Sequence, residues 1–136
     1  MIGRVLSTGS ATCTAEDISR FAAALGDPNP LYQGRAPVAP PTYPIAFMTQ
    51  AMAGGMDTFL ELGLNFMTLV HGEQEFEYRR AIRAGETLHL TGRIADVYEK
   101  TGGSGTLDFL VMETEAKDDV GDVVFFSRNT LISRRA

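Results

Sequence analysis

Apolar residues recur along this chain with two different periods, and the change from one to the other divides it. Between Ala15 and Leu25 they fall at Ile18, Phe21, Ala22 and Leu25, spacings of three and four that predict a helix with one buried face. Thr14 stands at the N-cap, Glu16 and Asp17 place negative charge on the positive end of the helix, and Asp17 occupies the capping-box position. Gly26 follows as the terminator. A second, interrupted helical pattern runs from Ile45 to Leu64, with Phe47, Met48, Ala51, Met52 and Met56 at helical spacing. Gly54-Gly55 weakens its middle, and Phe59, Leu60 and Leu62 form a second piece before Gly63. This segment predicts a central helix around which a sheet wraps. The Met48, Met52, Met56 stripe suits either adaptable core packing or the wall of a tunnel for an alkyl chain, because thioethers are flexible and polarisable.

After Leu69 the period becomes two. Val70 to Tyr78, Thr87 to Tyr98, Thr106 to Lys117 and Val123 to Ser133 read as strands, broken at Ala84-Gly85-Glu86, Gly102 to Gly105 and Asp119 to Asp122. Ala11 to Thr14 reads as a short early strand, and residues 1 to 9 carry no clear period. The fold class is therefore α+β, a single domain over residues 1–136 with about five antiparallel strands packed on one long helix. Short connections imply a meander. A single sheet leaves an outer face or edge needing cover, so a dimer through the sheets is expected.

Composition narrows the chemistry. At 136 residues and 44% hydrophobic content the chain can bury one core. A net charge of −5 with scattered basic residues argues against nucleic acid. No apolar run approaches the ~20 residues that span a bilayer, and Met1 to Ser10 lacks the apolar core of a signal peptide, so a cytoplasmic location is expected. Cys13 is the single cysteine and reads as a strand residue, since nothing in the sequence supplies an activating base. His71 and His89 are the only imidazoles; with one cysteine they give no support for a metal site, and no cofactor is expected.

All six prolines, Pro28, Pro30, Pro37, Pro40, Pro41 and Pro44, fall in one seventeen-residue window that no regular helix or strand can cross. The window opens with Gly26-Asp27-Pro28-Asn29-Pro30-Leu31-Tyr32, where two fixed φ angles flank Asn29 and set a carboxylate beside an amide and a phenol. By local chemistry this is either an ordinary structural turn or a rigid support for an acid or base; the rest of the window is either a pocket wall or a stiff surface connector.

Phe21 to Tyr32, FAAALGDPNPLY, resembles the signature of the MaoC-like, hydratase-2 family of acyl-thioester dehydratases, whose active motif reads G-D-x-N-P-x-H. The similarity continues in Ala39 to Pro44, in Leu69 to Tyr78 (LVHGEQEFEY) and in the last two strands, and it is strongest to the amino-terminal-half or non-catalytic-subunit branch. It implies a hot-dog fold and, as ligand, an acyl-CoA or acyl-carrier-protein thioester. It also places Asp27 at the catalytic carboxylate and Asn29 at the neighbouring amide. Two departures stand out: Tyr32 occupies the position of the motif's histidine, and Gln33 to Val38 is shorter than the corresponding segment of relatives. Both point away from independent catalysis, because an imidazole near pKa ~6.5 exchanges protons at neutral pH whereas a phenol near ~10 stays protonated.

The resemblance makes Asn29, Tyr32, Tyr43, Met48 and Met52 candidate substrate contacts, and His71 a candidate substitute for the missing imidazole. His89 alternates with Leu88 and Leu90 and reads as a surface or interface residue. Arg79, Arg80 and Arg83 suit either the phosphates of coenzyme A or a carrier's pantetheine arm, or an ordinary solvated strand end. Three functions follow as expectations. The chain is the acyl-thioester-binding subunit of an (R)-3-hydroxyacyl-thioester dehydratase or enoyl-thioester hydratase, paired as a heterodimer with a catalytic MaoC-like subunit. Alternatively it is a self-sufficient homodimeric enzyme using Asp27. A third reading is a hot-dog thioesterase relying on Glu61 or Glu73.

Overall fold

The computed structural model describes residues 2–51 and 56–135; Met52 and Gly54-Gly55, expected within the central helix, lie outside that range. Helix α1 spans Ala15–Leu25, and the Asp17 N–H donates to Thr14 Oγ1 at 3.1 Å, satisfying one of the donors a helix start leaves free. Ile18 and Ala22 are buried and Phe21 half-buried, but Leu25, expected on the same face, is 54% exposed: cover ends one turn earlier.

Five strands form one antiparallel sheet: β1 Val5–Cys13, β2 Val70–Tyr78, β3 Glu86–Gly102, β4 Gly105–Lys117 and β5 Val123–Arg134. Strand β1 begins well before Ala11, taking up much of the segment without a readable period. The spatial order is β1-β3-β4-β5-β2. Strands β3, β4 and β5 form the expected meander, but β2 does not join it. It pairs with β5 at the far edge, and residues 79–85 carry the chain back across the sheet to β3. Each strand pairing contains a register slip, at Val5/Ser7, His71/Glu73, Ile94/Asp96 and Ala116/Lys117. Such bulges increase the local twist and let the sheet curl.

The crossing is what the bulk of the chain rests on. Ile82 at its centre is 1% exposed. The Ala39 N–H donates to the Ile82 carbonyl at 2.8 Å, the Ala84 N–H to Pro37 at 3.1 Å and the Gly85 N–H to Cys13 at 2.6 Å. The proline window thus meets the crossing at Pro37 and Ala39, where Pro37, Pro40 and Pro44 are fully buried, while Gln33 to Ala36 stay exposed. Arg80 fastens the crossing at both ends. Its guanidinium donates to both Glu86 oxygens, at the start of β3, with Nη1 3.0 Å from Oε2, and reaches Asp118 Oδ2 at 3.2 Å, just past β4.

On the inner face lie two apolar clusters. The larger gathers Cys13, Ile18, Tyr43, Phe47, Ile82, Leu88, Leu90, Ala116 and Phe125; the smaller gathers Leu6, Ile94, Leu110 and Met112, with Leu62 and Leu64 against it. The expected central helix is described in two pieces, α2 Pro44–Ala51, which packs on β1 and sends Phe47 into the larger cluster, and α3 Met56–Glu61. Among the described residues, no helix is long and apolar enough to cross a membrane.

Burial pushes the Glu86 carboxyl up, but the hydrogen bonds from Arg80 and the Arg83 N–H and the Arg80 charge outweigh it, leaving it below its usual 4.5. A carboxyl lowered in the folded state stabilises above its unfolded pKa and loses that contribution as pH falls through the folded value. Arg80→Met is therefore expected to lower unfolding free energy by about 2 kcal/mol at pH 7. Urea titrations should show that deficit shrinking below pH ~4.5 as the wild-type pair protonates.

Candidate functional site

Gly26 ends α1 in the left-handed region, at φ 69° and ψ 24°, and turns the chain so that the Asp27 N–H donates to the Ala22 carbonyl at 3.0 Å. From there two side-chain turns follow in series. Asp27 Oδ1 accepts the Asn29 N–H at 3.0 Å, and Asn29 Oδ1 accepts the Leu31 N–H at 3.0 Å, opening a single 3-10 turn over Pro30–Tyr32. With Pro28 and Pro30 fixing φ between these bonds, the loop is set by its own residues and does not depend on long-range contacts for its shape. Asp27 and Asn29 are half-buried, and Asp27 Oδ2 has no hydrogen-bond partner among the described residues. Tyr32, also half-buried, packs on the larger apolar cluster.

Tyr43, read from sequence as a substrate contact, is a core residue at 2% exposure. It is wedged edge-on between Phe21 and Phe47, each ring centroid 5.2 Å away. Burial raises its phenol pKa. Burial likewise pushes the Cys13 thiol up to about 11, so Cys13 is no nucleophile at neutral pH. Met48 is half-buried against the same cluster. Tyr78 was not singled out by sequence, although its alternation with Phe76 put it on the inner face. Its hydroxyl donates to the Pro41 carbonyl at 2.6 Å and joins β2 to the proline window.

The basic and imidazole candidates lie apart from this loop. His71 is exposed beside the β2 bulge, seven residues before Tyr78, or roughly 23 Å along an extended strand. Tyr32 and Tyr78 pack on one cluster, so within a single chain His71 stands at the other end of the sheet from the Asp27 loop. His89 is on the surface, with Nδ1 3.1 Å from Ser10 Oγ and Nε2 2.7 Å from Asp119 Oδ1. Arg79 lies 3.2 Å from Glu77 and over the Phe126 ring, while Arg80, read as a phosphate contact, is taken up by Glu86 and Asp118. Glu61 pairs with Arg4 at 3.2 Å and Glu73 is exposed in an outward-facing row of β2, so neither thioesterase carboxylate sits with the Asp27 loop. Among the described residues, no group of His, Cys, Asp or Glu is arranged to hold a metal ion.

A feature that sequence reasoning missed crosses the middle of the sheet. Ser7, Gly92, Thr114 and Ser127 are cross-strand neighbours in one row between the two apolar clusters. They pack closely: a Cβ on Gly92 would meet Ser7 Oγ at 2.7 Å. Gln74 Nε2 donates to Ser127 Oγ at 2.7 Å, while its buried Oε1 has no partner among the described residues. A buried acceptor without a donor is costly, so this row is where the interior can receive a polar group. Ser and Thr at inward-facing positions of β4 and β5 were the readable signal. One open groove, of about 310 Å³, lies over Glu75, Glu77, Glu113, Phe126 and Arg128; another, of about 300 Å³, is lined by Leu62, Leu64, Val97, Phe109 and Leu110, and neither is lined by Asp27.

Because Gly26 holds a left-handed φ that a Cβ disfavours, Gly26→Ala is expected to cost about 1 kcal/mol in urea unfolding. The same change at Gly102, where the backbone has an ordinary φ and open space, should cost clearly less.

Comparison with known proteins extends beyond the loop. A family model described as the dehydratase domain region of FAS1-like proteins matches residues 1–126. A UPF0336 protein of Streptomyces avermitilis is 36% identical over 130 residues, covering 89% of this chain and 83% of that protein. Among solved structures, a chain of the C-terminally truncated HadBC (3R-hydroxyacyl-ACP dehydratase) complex of Mycobacterium tuberculosis superposes with a TM-score of 0.79 at 21% identity, covering 97% of this chain and 96% of that one. A chain of the ChsH1-ChsH2 complex from the same organism superposes with a TM-score of 0.70 at 18% identity, covering 94% and 82%. At these identities the two structures show a shared hot-dog fold.

Proposed function

The chain belongs to the family of FAS1-like dehydratase domain regions, and on that premise we propose that it is the acyl-thioester-binding subunit of an (R)-3-hydroxyacyl-thioester dehydratase or enoyl-thioester hydratase. A partner with the complete Asp/His motif supplies the proton transfers. One observation carries this reading: the Asp27 loop is fixed by its own side-chain hydrogen bonds, yet Tyr32, packed on the core, stands where the family's motif has its imidazole.

Hydration of an enoyl thioester adds a hydroxyl at C3 and a proton at C2, and the reverse reaction removes both. Either direction needs a group that takes a proton and returns it near neutral pH. Asp27 has one oxygen committed to the Asn29 N–H and one open, so it can orient or accept, but no described side chain beside it offers the second, imidazole-like role. The inner face suits the other half of the task. Met48 and the apolar clusters offer surface for an alkyl chain, and the Ser7-to-Ser127 row with Gln74 Oε1 offers partners for a hydroxyl or carbonyl. The HadBC dehydratase complex and the ChsH1-ChsH2 complex, each holding a chain with this fold, support a heteromeric arrangement.

The test compares the purified chain, alone and co-expressed with a chain bearing an intact G-D-x-N-P-x-H motif, in a spectrophotometric assay of crotonyl-CoA hydration. The isolated chain is expected to be slower by about 10²–10⁴-fold, the span that a lost general acid-base group covers. In the assembled pair, Asp27→Asn in this chain should change the rate by less than about threefold, since the acid-base work lies with the partner. Robust hydration by the chain alone, abolished by Asp27→Asn, would instead establish the self-sufficient homodimer.

A further inference from the structure

We infer that the inner face of the sheet holds a binding site for a hydroxyl carried in the tail of an acyl chain, formed by the side-chain amides of Gln74 on β2 and Asn129 on β5. The inference names a substrate class for the thioester-binding reading above and rests on that reading for the chain that bears the hydroxyl.

Gln74 and Asn129 stand directly opposite each other in the ladder between β2 and β5. The same row continues to Met112 on β4 and Ile94 on β3, both buried in the smaller apolar cluster. One row is therefore half hydrocarbon and half amide. Asn129 is only 6% exposed, and its side-chain amide meets no hydrogen-bond partner among the described residues. Gln74 commits Nε2 to Ser127 Oγ at 2.7 Å, while its Oε1 is buried and likewise unpaired.

A buried amide with nothing to bond carries the full cost of its lost hydration. A leucine in place of Asn129 would fill nearly the same volume without that cost. Unsatisfied groups of this kind call for a partner that the chain does not itself supply.

The bonding capacity of the pair says what that partner is. Gln74 Oε1 needs a donor, and Asn129 offers N–H donors on Nδ2. A hydroxyl serves both, its O–H donating to Gln74 Oε1 while its oxygen accepts from Asn129 Nδ2. A ketone only accepts and leaves Oε1 bare; a carboxylate has the same defect and brings a buried charge; a methylene serves neither. The hydrocarbon on either side of the hydroxyl has Ile94 and Met112 to lie against.

This hydroxyl is not the one that dehydration removes. A hydroxyl departing from C3 must be given a proton, and a carboxamide has no acidic proton to give near neutral pH. The pair can hold a hydroxyl but cannot help it leave, so the group it recognises sits elsewhere on the chain. Its placement agrees: Gln74 lies four residues, or roughly 13 Å of extended strand, from Tyr78, whose hydroxyl joins the proline window. A site built to bond a hydroxyl discriminates against the analogue that lacks it, because its own polar groups are then left bare.

Isothermal titration calorimetry of the purified chain tests this, with dodecanoyl-CoA and positional isomers of hydroxydodecanoyl-CoA in which the hydroxyl moves from C3 to the chain end. One isomer hydroxylated beyond C3 is expected to bind at least ~10-fold more tightly than dodecanoyl-CoA. Asn129→Leu should abolish that preference and leave the urea midpoint no lower than that of wild type, since it replaces an amide that bonds nothing. Equal binding of all the compounds, the result expected if a trapped water fills the pair, overturns the inference, as does a preference for the C3 isomer alone. A lowered midpoint for Asn129→Leu also overturns it, by showing the amide already satisfied. Acyl-CoA binding without hydroxyl preference leaves the thioester reading standing, whereas no binding of any compound overturns both.

Discussion

Everything that positions the Asp27 loop depends on a short piece of backbone that crosses the sheet against the run of its strands. Of the seven residues in that crossing only Ile82 is buried, while Arg79, Ala81, Arg83 and Gly85 stay exposed. Here residues 79–85 find partners in Pro37, Ala39 and Cys13, and Arg80 ties the start of β3 to the end of β4. Backbone groups beside a buried residue such as Ile82 need partners of this kind. The crossing also gives the later part of the proline window something regular to lie on, and Pro37, Ala39, Pro40, Tyr43 and Pro44 are buried there.

The loop above it is organised differently. Asp27 and Asn29 each use a side-chain oxygen on the backbone two residues ahead, and two prolines remove the alternatives. A family whose chemistry needs a carboxylate in one orientation would build this loop for catalysis. In this chain the loop persists with a phenol five residues on, so its construction serves the architecture whether or not protons move there. The edge-to-face rings behind it, Phe21, Tyr43 and Phe47, make the support stiff, and Tyr43 is buried among them.

What could be read in advance was what is local. Helix α1 and both its caps were legible because Thr14, Asp17 and Gly26 act within one turn of their own positions, and strands β2 to β5 because their alternation and glycine breaks are properties of short windows. The front half of β1 was not, since Ser7, Thr8, Gly9 and Ser10 face a small polar row and a solvent surface and so show no apolar beat. The place of β2 beside β5, the reach of Arg80 to Asp118 and the burial of Tyr43 were hidden for another reason: each is decided by residues tens of positions away. The Asp27 loop stood between these cases. Its hydrogen bonds are local and its chemistry was readable, but the distance from His71 followed only from the strand order.

That strand order also has a consequence in time. Strand β1 leaves the ribosome well before its partner in the sheet, β3, which begins at Glu86, and Gly85 must be in place before the Cys13 carbonyl is satisfied. For most of synthesis an early strand therefore waits unpaired beside a helix that is already complete. Long loops closed late make for slow folding and a prolonged exposure of sticky edges. A row of serines and threonines in that strand, where valine and isoleucine would pair more eagerly with strangers, keeps the nascent chain quiet until its proper neighbour is made.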